Sequence, residues 1–153
     1  MIRSATNTDI SQINKLREQV NTLHVKGRPD IFKAGFSQEF QDHAAWYLQS
    51  EDNEIFVDDR DGEIVGMVMV DYISKPESPY GLAREFCHIA EICVDEKWRR
   101  KGVAHELMEH VRTEARKRGM PKIELDVWAF NDALGFYESE GFRVFRRFME
   151  CDL

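Results

Sequence analysis

The chain has 153 residues and a formal net charge of −7 at pH 7. That length suits one domain with a buried core, no apolar run approaches the roughly 20 residues that cross a bilayer, and the negative charge argues against nucleic acid as a bulk partner. Cys87, Cys93 and Cys151 show no CxxC spacing, so neither a disulfide framework nor a metal site is expected, and a reducing cytoplasm is the expected compartment.

In chain order, Met1 to Thr6 lacks the apolar core of an export signal, and Ile2 opens a short strand. Thr8 or Asp9 can cap a helix in which Ile10, Ile13, Leu16, Val20 and Leu23 form one apolar stripe. Gly27-Arg28-Pro29-Asp30 ends it. A second helix is predicted from Ser37 to Gln49. The period then changes: Glu54–Asp58 reads as a strand, Asp61-Gly62 as a hairpin turn, and Glu63–Tyr72 as the return strand. Pro76, Pro79 and Gly81 mark a loop between Ser74 and Glu85, followed by a strand from Phe86 to Val94.

A polar turn, Asp95 to Gly102, feeds a helix with Val103, Leu107, Val111 and Ala115 on one face. Arg116-Lys117-Arg118-Gly119 supplies cations and a glycine stop at its far end. Ile123, Leu125 and Val127 alternate as a strand, Asn131 starts a short helix, and Phe142 to Cys151 is expected as a last strand. The order is α-α-β-β-β-α-β-α-β after the short first strand: a single domain, 1–153, with a mixed, mostly antiparallel sheet flanked by helices.

The charge is uneven. Residues 1–96 sum to −9 and residues 97–153 to +2, with Lys97, Arg99, Arg100 and Lys101 clustered at the start of the second part. A lone cluster of this kind is usually a solvated helix start. This one sits between a strand and an amphipathic helix. A helix N-terminus leaves unpaired N–H groups and a positive dipole end, and Gly102 and Ala104 admit a phosphate close to the backbone. The unit therefore reads as a pyrophosphate cradle. It is neither a Walker A loop nor a GxGxxG fingerprint.

Ile92-Cys93-Val94-Asp95, then Arg99-x-x-Gly102-x-Ala104, resembles the (Gln/Arg)-x-x-Gly-x-(Gly/Ala) motif of the GNAT superfamily of N-acetyltransferases. Asn131, Ala133, Phe136-Tyr137 and Gly141-Phe142 resemble that family's Asn…Ala…Tyr…Gly-Phe segment. Here Asn131-Asp132-Ala133 is one residue shorter than the usual Asn-x-x-Ala. The element order matches over nearly the whole chain.

The resemblance implies an acetyl-CoA-dependent transfer to a primary amine by direct attack in a ternary complex. It implies donor contacts from Ile92, Cys93, Val94, Arg99, Arg100, Lys101, Gly102, Val103, Ala104, His105 and Asn131, with the backbone of Cys93 and Val94 holding the pantetheine arm. It implies Tyr137 as the acid for the leaving thiolate, against a plain core role beside Phe136 and Phe142. Glu91, on the strand flooring the site, is the candidate base, with His88 as second choice. The alternative for each is a solvent-facing or hydrogen-bonded residue. Cys93 lacks a neighbouring histidine–acid pair and is not read as a nucleophile. His110 reads as helix surface, Trp98 as a packing anchor, and Trp46 and Trp128 as core or cleft residues. The acceptor is a small-molecule or peptide amine, with the acidic first part favouring a cation. A homodimer is a possible assembly. A non-catalytic acyl-CoA-binding module is the rival reading.

Overall fold

In the computed structural model, which describes residues 1–153, the chain forms β1 (Ile2–Ser4), α1 (Ile10–Gly27), α2 (Gln38–Tyr47), β2 (Asn53–Arg60), β3 (Glu63–Lys75), β4 (Arg84–Val94), α3 (Val103–Lys117), β5 (Ile123–Leu125) and α4 (Leu134–Ser139). One sheet runs in the order β1-β2-β3-β4-β5. The first three pairings are antiparallel, and β5 lies parallel to β4. The predicted α/β class and mixed sheet are as expected.

Local chemistry sets these bounds. Ser37 caps α2, its hydroxyl accepting from the Phe40 N–H at 3.2 Å. Asp61 and Gly62 both take positive φ, 55° and 90°, as a tight hairpin with the strands' own twist requires. β3 and β4 run further toward each other than predicted, to Lys75 and from Arg84, because their ladder continues to Lys75↔Arg84.

Each face of the sheet carries its own core. On one face α3 buries Val103, Leu107, Met108, Val111 and Ala115 against Val68, Val70, Cys87 and Ile89. On the other, Ile13 and Leu16 of α1 and Ala44 and Tyr47 of α2 cover Ile55, Val57, Met67, Met69 and Cys93. Each Val, Leu, Ile or Met among them contributes about 1.5–3 kcal/mol when fully buried. His110, expected as surface, sits edge-on to Phe56 with ring centres 4.7 Å apart.

The register slips once between β3 and β4. Met69 faces Glu91 while Val70 faces Ile89, so Ala90 is an extra residue. This β-bulge matters for everything that follows. Below it, Cys87 and Ile89 face α3; above it, Ile92 and Val94 pack on that side. His88, Glu91 and Cys93 therefore share the face toward α1 and α2, which a strict alternation forbids.

Segment 142–153 differs from expectation. It forms no strand, and Val144, Phe145, Phe148 and Met149 are exposed. Its apolar residues lose the period of two after Val144, and Arg143, Arg146 and Arg147 interrupt them.

Gly66 on β3 lets α3 approach: a Cβ there would stand 2.7 Å from Val103 Cγ1 and 3.1 Å from Leu107 Cδ1. Gly66→Val should lower stability by about 1–3 kcal/mol through overpacking. The check is a reduced urea midpoint with an unchanged m-value; an unchanged midpoint would mean that α3 is not seated tightly here.

Candidate active site

The β4–β5 pairing stops at Ile89↔Leu125. From Ala90 onward β4 is paired on its β3 side alone. Asp95 N–H donates to Val65 O at 2.9 Å, so by the two-residue alternation of an antiparallel ladder Cys93 also turns its backbone toward β3. Ile92 and Val94 then turn theirs to the open edge. Of the expected backbone pair, Cys93 and Val94, only Val94 points outward, and Ile92 joins it. Ala90 is exposed at the mouth of this gap.

The edge leads to the start of α3. Arg100 (φ 60°) and Gly102 (φ 86°) bend the chain into the helix. Gly102 is the N-cap and no side chain caps the helix, which leaves the first N–H groups free for an anion. Arg99 Nε donates to Val94 O at 3.2 Å, tying the turn to the strand end. Lys101 Nζ lies 5.0 Å from the Trp98 ring centre, so Trp98 does anchor the turn. Arg99, Arg100, Lys101 and Gly102 are exposed, Val103 is buried and Ala104 half-buried. His105 is drawn away from the turn: its Nδ1 lies 2.7 Å from Glu140, which also accepts from Arg112. Asn131 Oδ1 accepts from Ala133 N–H at 3.0 Å, so its amide oxygen is engaged in the turn before α4.

Tyr137 is buried on the α3 face, in the cluster against which Ile92 and Val94 pack, with Phe142 edge-on at 5.9 Å. Burial raises its pKa. Glu91 lies across the strand on the other face. Its Oε2 accepts from Arg17 Nε at 3.2 Å, while Oε1 is buried without a partner. Burial pushes the carboxyl above the usual range even though the Arg17 charge opposes this. Burial also pushes the Cys93 thiol up to about 12, and its Sγ donates to Leu16 O, which fits an inert core cysteine.

Several side chains of this region went unread in the sequence. Arg17 is 1% exposed and binds Phe40 O at 2.8 Å and Asn14 and His43 at 3.3 Å, joining α1, α2 and β4. Its position was legible: four residues after Ile13 and three before Val20, it interrupts the apolar stripe. Asp71 accepts a short hydrogen bond from the Tyr47 hydroxyl and lies 3.2 Å from His88 Nδ1, while His88 Nε2 is 3.7 Å from Asp126. Despite burial, His88 and Tyr47 hold Asp71 below the usual carboxylate range. An acid inside the apolar run Val68-Met69-Val70-Asp71 was a signal. Beyond Asp126, Trp128 stacks with Phe130 (5.9 Å) and meets Phe32 edge-on (5.1 Å), and Phe32 stacks on His24 of α1. Glu91 and Asp71, with the aromatic side chains of Phe32 and Trp128, thus lie on or beside the α1–α2 side of the sheet. Trp46 is 57% exposed beside His43 rather than in the core.

A family model described as the acetyltransferase (GNAT) family matches residues 18–142. An L-ornithine N5-acetyltransferase from Arabidopsis thaliana is 32% identical over 107 residues, which are 69% of this chain and 46% of that protein. An uncharacterized N-acetyltransferase from Methanocaldococcus jannaschii is 34% identical over 100 residues, 63% of this chain and 42% of that protein. The chain spans about half the length of these curated relatives. A mutant of the BH1408 protein from Bacillus halodurans superposes with a TM-score of 0.95 at 31% identity, over 100% of this chain and 99% of that one. An aminoglycoside N-acetyltransferase solved with CoA shares the fold, with a TM-score of 0.75 at 17% identity over 100% of this chain and 98% of that one.

The His88–Asp71 contact generates a pH prediction. The Asp71 carboxylate raises His88 above its ordinary pKa. A raised folded-state pKa gives stability that is fully present below the unfolded value, about 6.5, and lost as pH rises through the folded one. The stability advantage of wild type over His88→Gln should therefore be largest in mild acid and shrink at alkaline pH. Urea midpoints of both proteins across that range check this, and a constant difference would mean that His88 does not gain a proton there.

Proposed function

The chain belongs to the acetyltransferase (GNAT) family, and from that premise we propose that it transfers an acetyl group from acetyl-CoA to a primary amine of a small molecule or peptide, by direct attack in a ternary complex. The observation that carries this reading is the continuous path from the unpaired β4 edge to the uncapped start of α3. A pantetheine arm can add to Ile92 and Val94 as an extra strand would. A diphosphate fits the N–H groups from Gly102 onward, with Arg99, Arg100 and Lys101 around the opening.

The reaction needs a base on one side of the thioester and an acid on the other. Glu91 and Tyr137 flank the β4 edge from opposite faces, which supports those roles. The amine enters from the α1–α2 side and loses a proton to Glu91, directly or through a water. Its lone pair forms the C–N bond at the thioester carbonyl. The outward Val94 N–H is suited to stabilise the resulting oxyanion. Collapse breaks the C–S bond, and the Tyr137 hydroxyl gives its proton to the thiolate. Tyr137 can donate because burial keeps it protonated; Glu91 can accept because burial makes it a stronger base than a solvated carboxylate.

Asp71, Asp126 and the aromatic side chains of Phe32 and Trp128 suit a cationic acceptor. The names of similar proteins point the same way: one acts on L-ornithine and another on aminoglycosides. No helix is long and apolar enough to cross a membrane.

Free-thiol release from acetyl-CoA with a panel of amines tests the activity. Glu91→Gln should lower kcat by about 10²–10⁴ and move the pH–rate profile toward the amine's own pKa. Tyr137→Phe should lower kcat over the same rough range with donor affinity little changed. A Glu91→Gln profile that overlays wild type would remove Glu91 as base, and tight acetyl-CoA binding without turnover on any amine would favour a binding module.

A further inference from the structure

Arg17 stands in the apolar stripe of α1 between Ile13 and Val20, and it is 1% exposed. An arginine enters a core only with a full set of partners, because an unpaired buried charge is very costly. Its partners come mainly from the helices. Nη1 donates to Phe40 O at 2.8 Å and to Asn14 Oδ1 at 3.3 Å, and Nη2 donates to His43 Nδ1 at 3.3 Å. Asn14 is itself fixed, its Nδ2 donating to Gln41 O at 3.1 Å. The Phe40 ring centre lies 4.3 Å from the guanidinium carbon. Contacts within α1 and α2 therefore fix this group before Glu91 is counted.

Glu91 meets the fixed group at one atom. Nε donates to Oε2 at 3.2 Å, whereas an ion pair built for strength would set the guanidinium fork on both oxygens. Oε1 is left buried and without a partner. No other cation touches the carboxyl. From α2, His43 accepts from Arg17 at Nδ1 and so carries its proton on Nε2 as a neutral ring, and the Tyr47 hydroxyl is turned to Asp71. On β3, Met69 stands opposite Glu91, and Asp71 is taken up by Tyr47 and His88. On β4, the Cys93 thiol is turned to Leu16 O. Arg17 alone opposes the burial that favours the neutral acid.

We propose that Arg17 is a positioning residue of the reaction: anchored within α1 and α2, it holds the Glu91 carboxylate by Oε2 and so keeps Oε1 ready to take the amine proton. This rests on the reading of Glu91 as the base. The hydrogen bonds of Arg17 go to α1, α2 and Glu91, and none goes to the unpaired edge of β4 or the start of α3, so it acts through Glu91 and not on the donor. The sign follows from the charge. Without the guanidinium, the buried carboxyl keeps its proton to higher pH, and the acid limb of activity moves up with it.

Carbon-13 NMR of the Glu91 carboxyl in the full chain, assigned by its loss in Glu91→Gln, reads the charge directly and needs no acceptor. In wild type its titration midpoint should lie below about pH 7, where a base can work at neutral pH. In Arg17→Met it should rise by about 1–3 pH units, and Arg17→Lys should fall between the two. The acid limb of kcat, read by thiol release with the fastest amine of the panel, should rise equally, while the acetyl-CoA dissociation constant stays unchanged. Equal midpoints in wild type and Arg17→Met would overturn the proposal. So would a wild-type midpoint above neutral pH, a result that needs no variant to fold. The two readings fail separately. A Glu91→Gln pH–rate profile that overlays wild type removes the base, and with it the role of Arg17, while leaving the Arg17-dependent midpoint in place. An altered Glu91→Gln profile with an unmoved midpoint removes Arg17 alone.

Discussion

One extra residue in one strand governs the site. A ladder without the bulge at Ala90 would turn Glu91 toward α3 if His88 faced α1. With it, His88, Glu91 and Cys93 share the α1–α2 face, and Ile92 and Val94 join the α3 core. The same bulge bends β4 where its pairing with β5 ends, so the edge from Ala90 to Val94 stays unpaired. Orientation of the candidate base and exposure of the candidate donor-binding edge are two consequences of one backbone irregularity.

The surrounding elements hold that irregularity in place. Gly66 lets α3 lie directly against the sheet, which sets the helix start beside the strand end. On the opposite face Arg17 fastens α1, α2 and β4 through Phe40 O, His43 and Glu91. A buried ion pair of this kind is not in itself a strong stabiliser, because desolvation offsets most of the attraction. Its effect is positional. Arg17 occupies one oxygen of Glu91 and leaves the other unpartnered, and burial keeps the proton affinity of the carboxyl high.

Local chemistry made much of this legible in advance. The stripe Val103, Leu107, Val111 and Ala115 and the turn Arg99-x-x-Gly102 depend on residues within a few positions of one another, and α3 forms where they indicate. Asp61-Gly62 closes its hairpin for the same reason. The bulge is different in kind: Ala90 is extra only relative to β3, and nothing in the β4 sequence marks it. His105 and Asn131 were read from their place in a motif, yet Glu140 and Ala133, met only in the folded chain, engage their side chains. The aromatic cluster of Phe32, Trp128 and Phe130 joins positions far apart in sequence. The strand expected from Phe142 to Cys151 does not form, and its apolar residues lose the period of two after Val144, where Arg143, Arg146 and Arg147 interrupt them.

The central claim is that an acyl-CoA donor lies along the β4 edge with its diphosphate at the start of α3. Amide hydrogen exchange with and without acetyl-CoA measures this directly, because it reports individual N–H groups. The account predicts slower exchange at Ile92 and Val94 and from Gly102 to His105, with Cys93 unchanged because its N–H is already paired with β3. Protection confined to other residues, or an unchanged pattern at saturating acetyl-CoA, would contradict it.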